Sequence, residues 1–203
     1  MNKLEFLFRW THVFVGIVWI GHLYFFNFVN GPMQGKLDDA AKKAVNPQLM
    51  PRALWWFRWG AMATFLSGLI LFALVYLYTP GLGWGANTLM KGVEGGQSDR
   101  VRWIEWGMVF GTIMWFNVWF IIWPAQVKLL GGTAGDAAPA LRSRAALASR
   151  INTYLSAPML VGMLGANHAG MSFSYGGLLL AGLLGLAVIK ASYVHAGFVG
   201  QKI

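Results

Sequence analysis

Five apolar runs dominate this chain, and each is too long to be a strand or an ordinary core helix of a small soluble domain. They fall at roughly 5–29, 54–79, 103–127, 151–172 and 175–198. About twenty apolar residues wound as a helix cross roughly 30 Å of hydrocarbon, so each run predicts a transmembrane segment. The expected fold is all-α: a polytopic bundle of five membrane helices forming one integral domain over residues 1–203. The 57% hydrophobic and 11% charged composition fits that class and no soluble one. The net charge of +9 raises nucleic acid as a partner. The basic residues, however, gather at the ends of the apolar runs, where lipid headgroups account for them, so nucleic acid is set aside.

The chain has no cysteine, which removes disulfides, thiolate metal sites, iron–sulfur clusters and covalently attached c-type haem. The first run is too long for a signal h-region and has no small-residue cleavage site, so it is expected to remain as the first helix. The segments between the runs read as a polar loop (31–52), a flexible glycine-rich loop (80–100) and a third connection. The third is expected to hold a short interfacial helix, with Arg142, Arg144 and Arg150 facing headgroups. The glycine-rich "PGLGWG" lacks the strand and βαβ context that a phosphate loop needs. The triplet Phe-Arg-Trp occurs at 8–10 and 57–59 and reads as snorkelling arginines in an aromatic belt. Five Lys/Arg lie on the side of the N-terminus and second loop, against ten on the other side. That balance predicts an outside N-terminus and a cytoplasmic C-terminus.

All four histidines, His12, His22, His168 and His195, fall inside the predicted helices. Ionisable groups are costly within a bilayer and mark functional sites, although a histidine that merely hydrogen-bonds a neighbouring helix is the plain alternative. Helix direction sorts them by depth. His12 and His168 share the outer half, and His22 and His195 share the inner half. Paired imidazoles from facing helices suit a haem b, whose iron accepts them as axial ligands. Small residues leave room for a ring: Gly16 and Gly21 near the first sites, Gly162, Gly165, Ala166 and Gly170 around His168, Ala191 and Gly197 by His195. Arg9, near His12, and Arg58, at the inner end of the second helix, are candidate partners for haem propionates. One or two haems per chain are expected.

Copper is the weaker reading. Met159 and Met163, with His168, offer soft ligands, but methionine at helical spacing is usually packing. Carboxylates are too few for a di-iron centre. Glu105 is expected to pair with Arg102 or Arg9, a proton-relay role being the alternative. Lys190 and Asn117 read as haem neighbours, interhelical hydrogen-bonders or parts of a substrate or quinone pocket.

The stretches "RWTHVFVGIVWIG" (9–21), "WFNVWFIIWPAQVKLL" (115–130) and "SRINTYLSAPMLVGMLGANH" (149–168) resemble the membrane domain of bacterial membrane-bound urate hydroxylases, the urate oxidase N-terminal family. His12 and Asn167–His168 match the family's motif; His22 and His195 do not. The resemblance implies a multi-pass protein of the bacterial cytoplasmic membrane, linked to urate oxidation and to a cytochrome c as electron acceptor. This chain has no C-x-x-C-H, so the cytochrome c would be a separate protein. A fainter likeness of the first helix is to membrane protoporphyrinogen oxidases and copper-resistance proteins.

Four functions follow as expectations. The leading one is a haem b membrane protein moving electrons between a quinol or oxidoreductase and another carrier. The others are an oxidase or hydroxylase of urate or a similar planar ring, a porphyrinogen oxidase, and a structural subunit of a larger respiratory complex. Exposed aromatic faces are compatible with lipid, with a homo-oligomer, or with docking in such a complex.

Overall fold

The computed structural model describes residues 3–79, 81, 83–84, 99–168 and 172–199. Lys91, Gly170 and Lys202, and the side chain of Asn167, lie outside the described residues. Five long helices make the fold: α1 (Lys3–Gln34), α2 (Asp39–Tyr76), α3 (Asp99–Leu130), α4 (Ala138–His168) and α5 (Tyr175–Ala196). Of these, α1, α2, α3 and α5 are long and apolar enough to cross a membrane. A hairpin of two-residue strands, β1 (Tyr78–Thr79) and β2 (Gly83–Trp84), follows α2, where the last residues of the second helix and the start of a flexible loop were expected. Gly81 and Gly83 turn it with φ of 86° and 82°, a backbone that side-chain-bearing residues rarely adopt.

The helices pack as two antiparallel pairs, α1 with α2 and α3 with α4, and α5 lies against α4. Glycines set the crossings. A Cβ on Gly60 would come within 3.2 Å of the Trp19 backbone nitrogen. A Cβ on Gly162 would lie 2.7 Å from the Gly107 Cα, so those two backbones touch. Between the pairs, Trp19, Leu23, Leu54, Phe57, Met114 and Val118 build one apolar core.

Helix α4 carries polar residues both on its exposed start, at Arg142, Arg144 and Arg150, and inside the bundle. Its Asn152, Thr153 and Ser156 are wholly buried and hydrogen-bonded. Asn152 donates to the Met114 carbonyl at 2.9 Å and accepts from the Asn117 amide at 2.7 Å. Ser156 meets the Tyr24 hydroxyl at 2.9 Å. These contacts serve two π-helical turns, Phe25–Asn30 in α1 and Asn117–Ile122 in α3. A π turn shifts the backbone ladder by one residue, and a side-chain amide supplies the bond that the shift disturbs. In α1 the Asn27 amide does this at the Leu23 carbonyl, 2.9 Å away.

Both polar connections contain more helix than the sequence suggested. The expected loop at 31–52 holds the end of α1 and the first fourteen residues of α2, capped by Asp38, whose carboxylate accepts from the Ala41 backbone N–H at 2.7 Å. Gln34 and Asn46 exchange two side-chain hydrogen bonds, at 2.7 and 3.0 Å, and pin the short α1–α2 link. The expected interfacial helix is not separate. Arg142, Arg144 and Arg150 stand on α4 itself, whose alanine-rich start buries Ala145 and Ala148 and runs on without interruption.

A candidate ligand cavity between two helix pairs

At the end of the bundle that carries His12, the two helix pairs part and leave a cavity of about 590 Å³. Side chains from α1, α2, α3 and α4 line it, and both His12 and His168 are among them. Arg9 and Tyr76 stand at the same end, and Trp19 and Met159 lie at the level where the packed core begins. Along α1 the lining runs from Arg9 to Gly21, roughly 18 Å at 1.5 Å per residue. Most of the wall is apolar, including Val13, Gly16, Phe65, Leu71, Phe72 and Met163.

His12 is held in one orientation and one tautomer. Its Nδ1 lies 3.0 Å from the Thr64 carbonyl oxygen and 3.2 Å from Ser67 Oγ. A carbonyl only accepts, so Nδ1 carries the proton and Nε2 keeps its lone pair. The Ser67 hydroxyl spends its own proton on the Ala63 carbonyl, 2.6 Å away, and so presents a lone pair to Nδ1. Gly68 makes the space for the ring, since a Cβ there would come within 3.0 Å of His12 Cε1. An imidazole whose N–H is tied to a backbone carbonyl has the outer-sphere arrangement that orients metal-ligating histidines.

His168 is the last residue of α4 and is largely exposed, facing the same cavity from the other helix pair. Arg9 bonds Glu5 at 2.7 Å through one terminal nitrogen. Its Nε, like the indole nitrogen of Trp19, is buried with no acceptor among the described residues. Arg102 pairs with Asp99 at 3.8 Å. Gly162 and Gly165 serve the helix crossings, against Gly107 and the Trp103 ring.

The second histidine pair is arranged differently. His22 donates from Nδ1 to the Val18 carbonyl at 2.7 Å and lines a separate groove with Leu49 and Ala53 of α2. His195 is exposed in the last turn of α5. Two residues earlier, Tyr193 donates to Asn27 Oδ1 at 2.8 Å and stacks edge-on against Phe28, 5.0 Å between ring centres. Helices α1 and α5 run in the same direction, so His195 lies beyond Asn27 and roughly 10 Å further along than His22. The two imidazoles share neither level nor cavity. Ala191 and Lys190 are both exposed on α5.

Arg58 also stands away from the cavity. Its guanidinium lies 3.7 Å from the centre of the Trp123 ring and 5.2 Å from those of Trp59 and Trp119. A cation enclosed by three indole faces is held by the ring quadrupoles and joins α2 to α3. Asn117 bonds Asn152 across α3 and α4. Among the described residues, no three His, Asp or Glu side chains gather as a metal-ion cluster.

The comparison with known proteins agrees with the most specific stretch of the sequence. No curated protein and no solved structure matches the chain. The family model described as urate oxidase N-terminal matches residues 34–91 and 92–198, which takes in His168, His195 and the whole Asn152 network and begins after His12 and His22. With most of its length matched, the chain belongs to the urate oxidase N-terminal family.

Proposed function

We propose that this protein binds one haem b in the cavity between the two helix pairs, where His12 and His168 would hold the iron, and carries electrons within the membrane. The observation that bears most weight is the His12 imidazole. Its Nδ1 proton is committed to the Thr64 carbonyl, and a second histidine lines the opposite wall of the same cavity. The donor chemistry fits the group: two neutral imidazoles for the iron, apolar walls for the ring, and the Arg9 guanidinium at the end of the cavity for a propionate. When bound, haem b supplies reversible one-electron exchange between ferric and ferrous iron. The chain's own part is to hold the His12 lone pair in place, to keep water from the ring with Phe65, Phe72 and Leu71, and to balance propionate charge at Arg9.

In this reading the protein resides in a bacterial cytoplasmic membrane with its N-terminus outside, as the Lys/Arg balance favours, and hands electrons to a separate cytochrome c or respiratory complex. Family membership favours a second reading, in which the protein helps to oxidise urate or a similar planar ring. The cavity's apolar wall suits a haem better than it suits urate, a polar anion with many hydrogen-bonding groups.

The test is a pyridine haemochrome on purified protein made with ample haem. One haem b per chain is expected, lost in both His12→Ala and His168→Ala. Full haem in either variant would overturn the ligand pair, and haem-free wild-type protein would overturn the reading. Reduction of the haem by added urate would move urate oxidation to first place.

A further inference from the structure

We infer that Arg58 and the tryptophans around it bind the phosphate of an anionic phospholipid where α2 meets α3. The guanidinium has no counter-charge: among the described residues no carboxylate pairs with it, and its Nε is buried without an acceptor. Trp59, Trp119 and Trp123 hold the cation in place. Their ring faces balance part of its charge, but they are poor acceptors for the N–H groups that lie in its plane. The side chain is only partly buried, so an anion outside the bundle can reach its terminal nitrogens.

Level selects the class of anion. Arg58 stands just past the start of the apolar run at Leu54, roughly 6 Å along the axis, among the exposed indoles of Trp55, Trp56 and Trp59. Tryptophans gathered in this way lie at the headgroup boundary, where the phosphates of lipids are. Charge selects the headgroup. Arg52, Lys128, Arg142 and Arg144 belong to the same end of the bundle. Asp38 and Asp39 lie roughly 28 Å away along α2, engaged as a helix cap and with Lys42. A choline or ethanolamine headgroup would bring one more cation into this field. Phosphatidylglycerol brings the phosphate charge alone.

The place of the site gives it a use. Helices α2 and α3 belong to different pairs and meet far less closely than the partners within each pair. Arg58 is a cation of one pair lodged against Trp119 and Trp123 of the other. A phosphate bound there neutralises that charge and clamps the seam between the pairs. Nothing in this rests on the haem reading.

The experiment uses the full chain, delipidated in mild detergent, titrated with phosphatidylglycerol and read by native mass spectrometry and thermal unfolding. One tightly held phosphatidylglycerol per chain is expected, bound about fivefold better than phosphatidylcholine or diacylglycerol with the same acyl chains, together with a rise in the unfolding midpoint. Arg58→Gln should erase the preference and the rise, and Arg58→Lys, which keeps the charge but not the planar fork, should retain part of both. Arg144→Gln removes an equal charge at the same end and should leave both unchanged. Equal binding of the three lipids by wild-type protein would overturn the site, even if Arg58→Gln fails to fold. Equal losses in Arg58→Gln and Arg144→Gln would also overturn it, leaving only a diffuse attraction to the basic end. Displacement of the lipid by excess inorganic phosphate would overturn the lipid as occupant and make this a site for free anions. A dimer mass that excludes phosphatidylglycerol would give the seam to a second copy of the chain instead.

Discussion

The two ends of the bundle use polar residues for opposite purposes. At the asparagine end, Asn27, Asn117, Asn152 and Ser156 mend the backbone around two π turns, and the space between helix pairs is filled by Leu23, Phe57, Met114 and Val118. At the His12 end, backbone and hydroxyl groups of α2 serve a side chain, and the space between pairs is left open. One end spends its polarity on staying folded and the other on holding an imidazole ready. Substitutions should therefore separate stability from ligand content according to the end they touch.

The largest effect is expected at Asn152→Leu. It strands the Asn117 amide and the Met114 carbonyl inside the bundle, and a buried unpaired polar group costs about 1–3 kcal/mol. Unfolding followed by tryptophan fluorescence in detergent should show a loss of about 3 kcal/mol, with haem per folded chain unchanged. A variant as stable as wild type would mean that the π turn in α3 is held by packing alone.

Next comes Gly162→Ala. Its Cβ would press on the Gly107 backbone, which cannot swing aside as a flexible side chain would, and overpacking of this kind costs about 1–3 kcal/mol. Thermal unfolding is the measure. An unshifted transition would show that α3 and α4 slide freely at this crossing, contrary to the contact between them.

Much of this contrast could be read in advance, and the rest could not for definite reasons. Run length and hydropathy announced the helices, and counting along antiparallel neighbours put His12 and His168 at one level. The same counting misled for His22 and His195, because it took α1 to end near residue 29. The helix continues to Gln34 through a π turn, and the contacts of Tyr193 set α5 lower against it. Depth also carries no azimuth, and His22 faces α2 while Tyr193 approaches Asn27. The π turns were hidden because "FFNFVN" and "NVWFII" read as ordinary apolar helix. Pro47 and Pro51 looked like loop residues, yet both lie within α2. Arg58 looked free for a propionate because its three indole neighbours converge only when α3 packs on α2.

At the His12 end, Gly68→Ala should reverse the pattern. A methyl within 3.0 Å of His12 Cε1 turns the ring away from the Thr64 carbonyl, so haem per chain should fall by at least half, while stability moves by about 1 kcal/mol or less. Haemochrome and unfolding on the same preparation decide it. A parallel fall in both would place this glycine with the packing residues and blur the division between the ends.

The smallest effect is expected at Ser67→Ala, and it tests the division most closely. Ser67 Oγ is the second acceptor for the His12 Nδ1 proton, at 3.2 Å, and the Thr64 carbonyl at 3.0 Å remains after its removal. The ring therefore keeps its tautomer, and haem content should hold. What changes is the basicity of the ligand. With one acceptor fewer on Nδ1, the imidazole gives less electron density through Nε2, and ferric iron loses more stabilisation than ferrous. The midpoint potential should rise by about 20 mV, the equivalent of about 0.5 kcal/mol for one electron. Spectroelectrochemical titration of wild type and variant reads this directly. A potential that falls would give the hydroxyl the opposite role, and a potential that stays fixed while stability drops would make Ser67 a packing residue like those at the other end.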